Sequence, residues 1–140
     1  MGYYSQVGYI VQGKKEEMVP ILTTFRLTYP KSKYAQEALN ECAYSLHDGW
    51  LTVRFQNDSC KWYEGYDNVD SHTSLFEAFS EAAEKEGSSI NGGFVRVGED
   101  DDDIKTQYFG SDPYDLLHPV RSIEFEVEAD GTLESVLRAT

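Results

Sequence analysis

Tyr44-Ser45-Leu46-His47-Asp48-Gly49-Trp50-Leu51-Thr52-Val53-Arg54-Phe55-Gln56 is the stretch that decides the fold. Asp48-Gly49 stands between two arms rich in strand-forming residues. A two-residue type I′ turn requires positive φ at both central positions, which aspartate tolerates and glycine prefers, so the pair predicts a tight β-hairpin. In the second arm Leu51, Val53 and Phe55 alternate with Trp50, Thr52, Arg54 and Gln56. This period of two predicts one buried and one solvated face, the signature of an antiparallel sheet rather than a doubly wound parallel one. Asn57-Asp58-Ser59 is expected to end the strand.

Upstream, Tyr3 to Gln12 reads as a first strand with Val7, Tyr9 and Val11 on one face. Met18, Ile21, Leu22, Phe25 and Tyr29 follow at helical spacing, with Glu16 and Glu17 early, where the helix dipole favours acids. Pro20 is compatible with that helix only in its first turn, and Tyr29-Pro30 should end it. A shorter helix is predicted from Lys33 to Glu41. Downstream, Ser74-Leu75-Phe76-Glu77 has the form of a capping box, opening a helix that presents Leu75, Phe76, Phe79, Ala82 and Ala83 and stops at Gly87. Phe94 to Val97 is a strand, Ile104 to Phe109 a short one, and Gly110 to Pro119 a loop. Arg121 to Glu128 alternates Ile123, Phe125 and Val127 inward with Ser122, Glu124, Glu126 and Glu128 outward. After Asp130-Gly131 the chain is expected to end in a short peripheral tail. The order predicts a single α+β domain: a mostly antiparallel sheet with the two main helices packed on one face, ferredoxin-like in general plan.

The 140 residues include 25 acidic and 12 basic ones, a formal net charge of −13. With 40% hydrophobic and 14% aromatic residues the chain is too apolar for an acidic disordered segment. The charge argues against direct binding to nucleic acid or to anionic lipid, both of which need clustered lysine and arginine. Its distribution is lopsided: residues 1–60 carry six basic and six acidic side chains, residues 61–140 six and nineteen. No basic leader with an apolar core and no long apolar run is present, so a soluble cytoplasmic protein is expected. Cys42 and Cys60 lack a C-x-x-C partner and are expected to be reduced thiols.

No cofactor or metal motif emerges. Counted from Asp100, a calcium loop would need glycine at Lys105 and glutamate at Ser111, so Glu99-Asp100-Asp101-Asp102-Asp103 fails that template. Asp103-Ile104-Lys105 has the acid-x-lysine form of a metal-dependent phosphodiesterase strand, but a surface of this charge repels phosphate. His47, His72 and His118 have no metal-ligand spacing and read as exposed turn residues. No nucleophile motif or phosphate loop is present, so no catalytic residue is assigned. The candidate partner-binding set is Trp62, Tyr63 and Tyr66, aromatic anchors in a polar segment, with the acids Glu99, Asp100, Asp101, Asp102, Asp103, Glu124 and Glu126.

Lys61-Trp62-Tyr63-Glu64, then Leu75-Phe76-Glu77-Ala78-Phe79, Gly93-Phe94-Val95-Arg96-Val97-Gly98-Glu99-Asp100 with Asp102-Asp103-Ile104, and Val120-Arg121-Ser122-Ile123-Glu124-Phe125 together resemble a group of small bacteriophage and prophage proteins. The resemblance spans roughly residues 1–127 and implies an origin but no chemistry. The expected function is that of a noncatalytic accessory protein binding a host or phage protein. One such partner would be a nucleic-acid-binding host protein, inhibited by mimicry of nucleic-acid charge. A virion assembly component and a metal-dependent hydrolase are the alternatives.

Overall fold

In the computed structural model, which describes residues 4–28, 33–60, 62, 67–99, 104–110, 117–119, 123–125 and 131–138, the chain reverses at Asp48 and Gly49 with φ of 52° and 81°. Both angles are positive, as a type I′ turn demands. The hairpin joins β2 (Ala43–His47) to β3 (Trp50–Cys60). Around it lie β1 (Ser5–Lys14), α1 (Lys15–Thr28), α2 (Lys33–Glu41), α3 (Asp67–Ala83), β4 (Asn91–Val97), β5 (Ile104–Phe109), β6 (Leu117–Pro119), β7 (Ile123–Phe125) and α4 (Leu133–Arg138). The protein is thus α+β, with a five-stranded sheet in the order β2-β3-β1-β4-β5 in which every neighbouring pair is antiparallel. Among the described residues no helix is long and apolar enough to cross a membrane.

Strand β1 is central, and its register sets the core. Tyr9 lies opposite Phe55 on β3 and Phe94 on β4. Val7, Tyr9 and Val11 share one buried cluster with Met18, Leu22 and Phe25 of α1, Leu39 of α2 and Leu75, Phe76 and Phe79 of α3. Each such side chain contributes roughly 1.5–3 kcal/mol by leaving water.

Several expectations need correction. Pro20 is the sixth residue of α1, beyond the first turn, so the Glu16 carbonyl loses its intrahelical partner. Pro20 is exposed, where water can take that bond. Strand β3 does not stop at Asn57 but runs to Cys60, because pairing with Ser5 and Val7 across a register shift overrides the turn preference. The Asp58 carboxylate there accepts from Gln6 Nε2 (3.0 Å) and Gln56 Nε2 (2.8 Å), and these two amides hold its pKa below the ordinary value. Helix α3 starts at Asp67, seven residues before the Ser74 capping box. Pro119 and its neighbours, expected as loop, form β6, which pairs with β7 as a separate two-stranded ribbon. Residues 131–138 are no loose tail. Gly131 exchanges backbone bonds with Tyr44 at 2.7 and 2.9 Å, and Leu133 and Val136 are buried in the main cluster.

The solvated reverse face is also a mistaken expectation. Ile10 and Val95, which point away from Tyr9, are fully buried, and Val97 and Thr52 nearly so. The ribbon of β6 and β7 approaches β4 and β1, strands already flanked in the sheet on both sides, so it must stack over them. The sheet therefore carries apolar side chains on both faces near its middle, with polar ones on the reverse face at Gln12, Arg54, Gln56 and Thr106.

Two features give stability tests. Gly110 has φ of 97°, and a Cβ there would lie 2.6 Å from the Ile90 carbonyl oxygen; Gly92 has the Phe109 ring lying directly across it. Gly110→Ala is expected to lower unfolding free energy by about 1–3 kcal/mol, read from urea denaturation; an unchanged midpoint would remove this close approach as a constraint. Glu17 Oε2 accepts from Ser89 N (2.9 Å) and Ser89 Oγ (2.6 Å), fastening the first turn of α1 to the segment after α3. These bonds hold the Glu17 carboxyl below its usual 4.5. A carboxylate lowered in the folded state adds stability that is present above the unfolded value and lost as pH falls through the folded one. Glu17→Gln is expected to cost about 1 kcal/mol at pH 7 and to flatten the acid limb of stability below pH 4.5 in denaturation series.

Candidate functional site

Among the described residues, the densest polar chemistry lies inside the protein. Tyr9, fully buried on β1, brings its hydroxyl 2.6 Å from His72 Nδ1 and 3.4 Å from Cys42 Sγ. His72 Nε2 in turn stands 3.3 Å from Glu41 Oε1. One donor direction satisfies every link: the Cys42 thiol donates to the Tyr9 oxygen, the Tyr9 hydroxyl to Nδ1, and the Nε2–H to the Glu41 carboxylate. The chain starts at the end of α2, crosses the core through β1 and α3, and emerges at Glu41, whose side chain is half exposed. Beside it, Tyr44 donates to the Leu39 carbonyl at 2.6 Å. Among the described residues no buried side-chain nitrogen or oxygen is left unbonded.

Aromatic rings enclose this chain. The Phe55 and His72 ring centroids are 4.0 Å apart, Tyr9 lies 5.3 Å from Phe55, and Phe76 packs edge-on to Tyr9 and to Phe109. Burial pushes the Tyr9 phenol well up, raises the Cys42 thiol to about 12, and lowers the His72 pKa against the opposing pull of Glu41. A thiol and a phenol so placed stay protonated at neutral pH, and neither is a ready nucleophile. The arrangement orients α2, α3 and β1 on one another.

His72 is thus not an exposed residue ahead of a helix. It lies on the buried stripe of α3 with Val69, Phe76 and Phe79, at helical spacing. That stripe is present in the sequence, but the apparent capping box at Ser74 hides it by cutting the helix short. Cys42 and Cys60 are both free thiols; Cys60 Sγ donates to the Ser5 carbonyl at 3.5 Å.

Of the candidate partner-binding residues, Trp62 is half-buried, its ring about equally far, at 6.0–6.2 Å, from Phe55, Phe94 and His72. One side of the indole is therefore committed to the core. Glu99 is exposed, and its Oε1 accepts from the Tyr4 backbone N–H at 2.8 Å, tying the segment after β4 to the start of β1. Glu124 lies on β7 opposite His118 in the register. Tyr63, Tyr66, Asp100, Asp101, Asp102, Asp103 and Glu126 lie outside the described residues. Among the described residues, no three His, Cys, Asp or Glu side chains come together as a metal-ligand set.

An acidic surface runs along α3. Asp70, Glu77 and Glu81 are all exposed and recur at helical spacing on its outward side, and the exposed Glu84 follows in the turn that ends it. Beside this row a groove of about 470 Å³ opens between α1 and α3, with Ile21 and Phe25 on one wall and Ser74, Ala78 and Ala82 on the other. No family model, curated protein or solved structure matches the chain.

Proposed function

We propose that the protein is a noncatalytic acidic binding module of the bacteriophage accessory type, engaging a basic protein through the half of its chain that follows Cys60. In this reading it acts in the host cytoplasm as an inhibitor, imitating nucleic-acid charge before a nucleic-acid-binding host protein. The observation that carries it is charge placement. The first 60 residues are balanced and the remainder holds the whole excess of −13, with Asp70, Glu77 and Glu81 exposed along one helix and Glu84 just past its end. A field of one sign over one side steers a basic partner and repels acidic ones.

A ferredoxin-like plan belongs to the same reading. Its support is the antiparallel order β2-β3-β1-β4, with helices between β1 and β2 and between β3 and β4, and the shared cluster that joins α1 and α3 to the same strands.

Salt tests the function directly. A partner captured from host lysate and then purified is expected to bind more than tenfold more weakly at 0.3 M than at 0.05 M salt, and to be displaced by duplex DNA. An affinity indifferent to salt and to DNA would defeat charge mimicry.

A further inference from the structure

We propose that the groove between α1 and α3 is the docking site for a basic amphipathic helix of the partner. This inference rests on the function proposed above and adds to it the element recognised and the place where it binds. Three observations lead to it. First, Ser74, Ala78 and Ala82 repeat every fourth residue of α3, and these small side chains leave a trough instead of a ridge. Another helix can approach closely over such a row. Second, the trough is mainly apolar: Ile21, Phe25, Ala78 and Ala82 line it, with Phe25 buried and Pro20 exposed. From Ser74 to Ala82 it runs for about 12 Å, a little over two helical turns. Third, its outer flank is acidic. On α3, Asp70, Glu77 and Glu81 fall just outside the small-residue row, and among the described residues Lys85 is the lone base lining the groove.

An apolar trough beside carboxylates fits a helix carrying leucine-like residues at i, i+4 and i+7 and lysine or arginine on the adjoining positions. A wholly apolar occupant would bring the carboxylates against a surface that offers them no hydrogen-bond donors. A second copy of the chain is disfavoured by its own charge of −13, since like charges facing across an interface raise its energy.

The test uses the full chain and a fluorescein-labelled peptide of about five turns, with leucine along one stripe and lysine elsewhere, followed by fluorescence anisotropy. Three peptides serve as comparisons: one of equal composition with the leucines scattered, one with every lysine replaced by glutamine, and an unstructured lysine–glycine peptide. The striped basic peptide is expected to bind at least tenfold tighter than the scattered and glutamine peptides. Ala78→Trp, which fills the trough without changing charge, is expected to weaken it about tenfold. In the unsubstituted protein, amide resonances of Thr24, Ala78 and Ala82 should shift on titration, a readout independent of any variant's folding. Equal binding of striped and scattered basic peptides, with Ala78→Trp neutral and these resonances unmoved, would overturn the groove while leaving salt-sensitive acidic binding standing. Equal binding of the glutamine peptide would overturn the basic partner. If no lysine-containing peptide binds at low salt, the proposed function itself falls.

Discussion

His72→Ala is expected to destabilise the protein by about 4–8 kcal/mol, since losing a buried aromatic-sized side chain costs about 3–5 and stranding a buried donor a further 1–3. The ring is 3% exposed, lies 4.0 Å from the Phe55 ring and accepts the Tyr9 hydroxyl. Its removal opens a cavity among aromatics and leaves that hydroxyl without an acceptor. Domains of this size are stable by roughly 5–15 kcal/mol, so the variant should sit near its unfolding midpoint in dilute guanidinium. Tyr9→Phe is expected to cost less, about 1–3 kcal/mol, by removing a partner from both Nδ1 and the Cys42 thiol. The double variant Tyr9→Phe, His72→Leu replaces both partners with apolar groups and should be much less destabilised than Tyr9→Phe and His72→Leu, each measured alone, summed. Simple additivity in that cycle would mean that the 2.6 Å contact contributes no coupling.

The same imidazole predicts a pH dependence. Burial lowers the folded-state His72 pKa below its usual 6.5, more than Glu41 raises it. Between that lowered value and 6.5 the unfolded chain holds a proton that the folded chain does not. Stability therefore rises with pH through this window and falls as the pH drops below 6.5. In the His72→Leu background this limb should vanish, leaving the separate loss below pH 4.5 that Glu17 contributes.

The second large effect is expected at the C-terminal helix. Leu133 and Val136 are each 4% exposed and belong to the main cluster, so replacing both with alanine removes two anchors from a helix of six residues. Large-to-small changes of this kind cost about 2–5 kcal/mol for the leucine and less for the valine. So short a helix has no stability of its own, and the loss is capped at whatever docking it supplies. Below that cap the domain unfolds earlier in denaturant; at the cap α4 detaches alone, and proteases cut near residue 131 with the remainder folded. A variant with unchanged midpoint and protease resistance would make the buried contacts of α4 dispensable.

How far the sequence discloses this molecule depends on whether local and tertiary preferences agree. They agree at Asp48-Gly49, whose turn chemistry settles β2, β3 and their register, and at Lys33–Glu41, predicted and found with the same ends. They disagree at Asn57-Asp58-Ser59, where a good turn sequence is held extended by neighbouring strands and two glutamine amides. At Ser74 a capping box lies inside a longer helix, and its local signal concealed His72. The burial of Ile10 and Val95 depends on a ribbon brought over the sheet by the fold, which strand alternation does not specify. The acidic half was legible as composition. The groove beside α3 was not, since it depends on which side of α3 faces α1.

The backbone exchange between Tyr44 and Gly131 reaches beyond fastening α4. It occupies the outward backbone groups of Tyr44 on β2, at one of the two margins where the five-stranded sheet could be extended. The other margin is β5, with Ile104 through Gln107 exposed. A strand adding at β2 would have to displace Gly131 from Tyr44, whereas among the described residues β5 pairs with β4 alone and is the margin where edge-to-edge addition breaks no backbone bond.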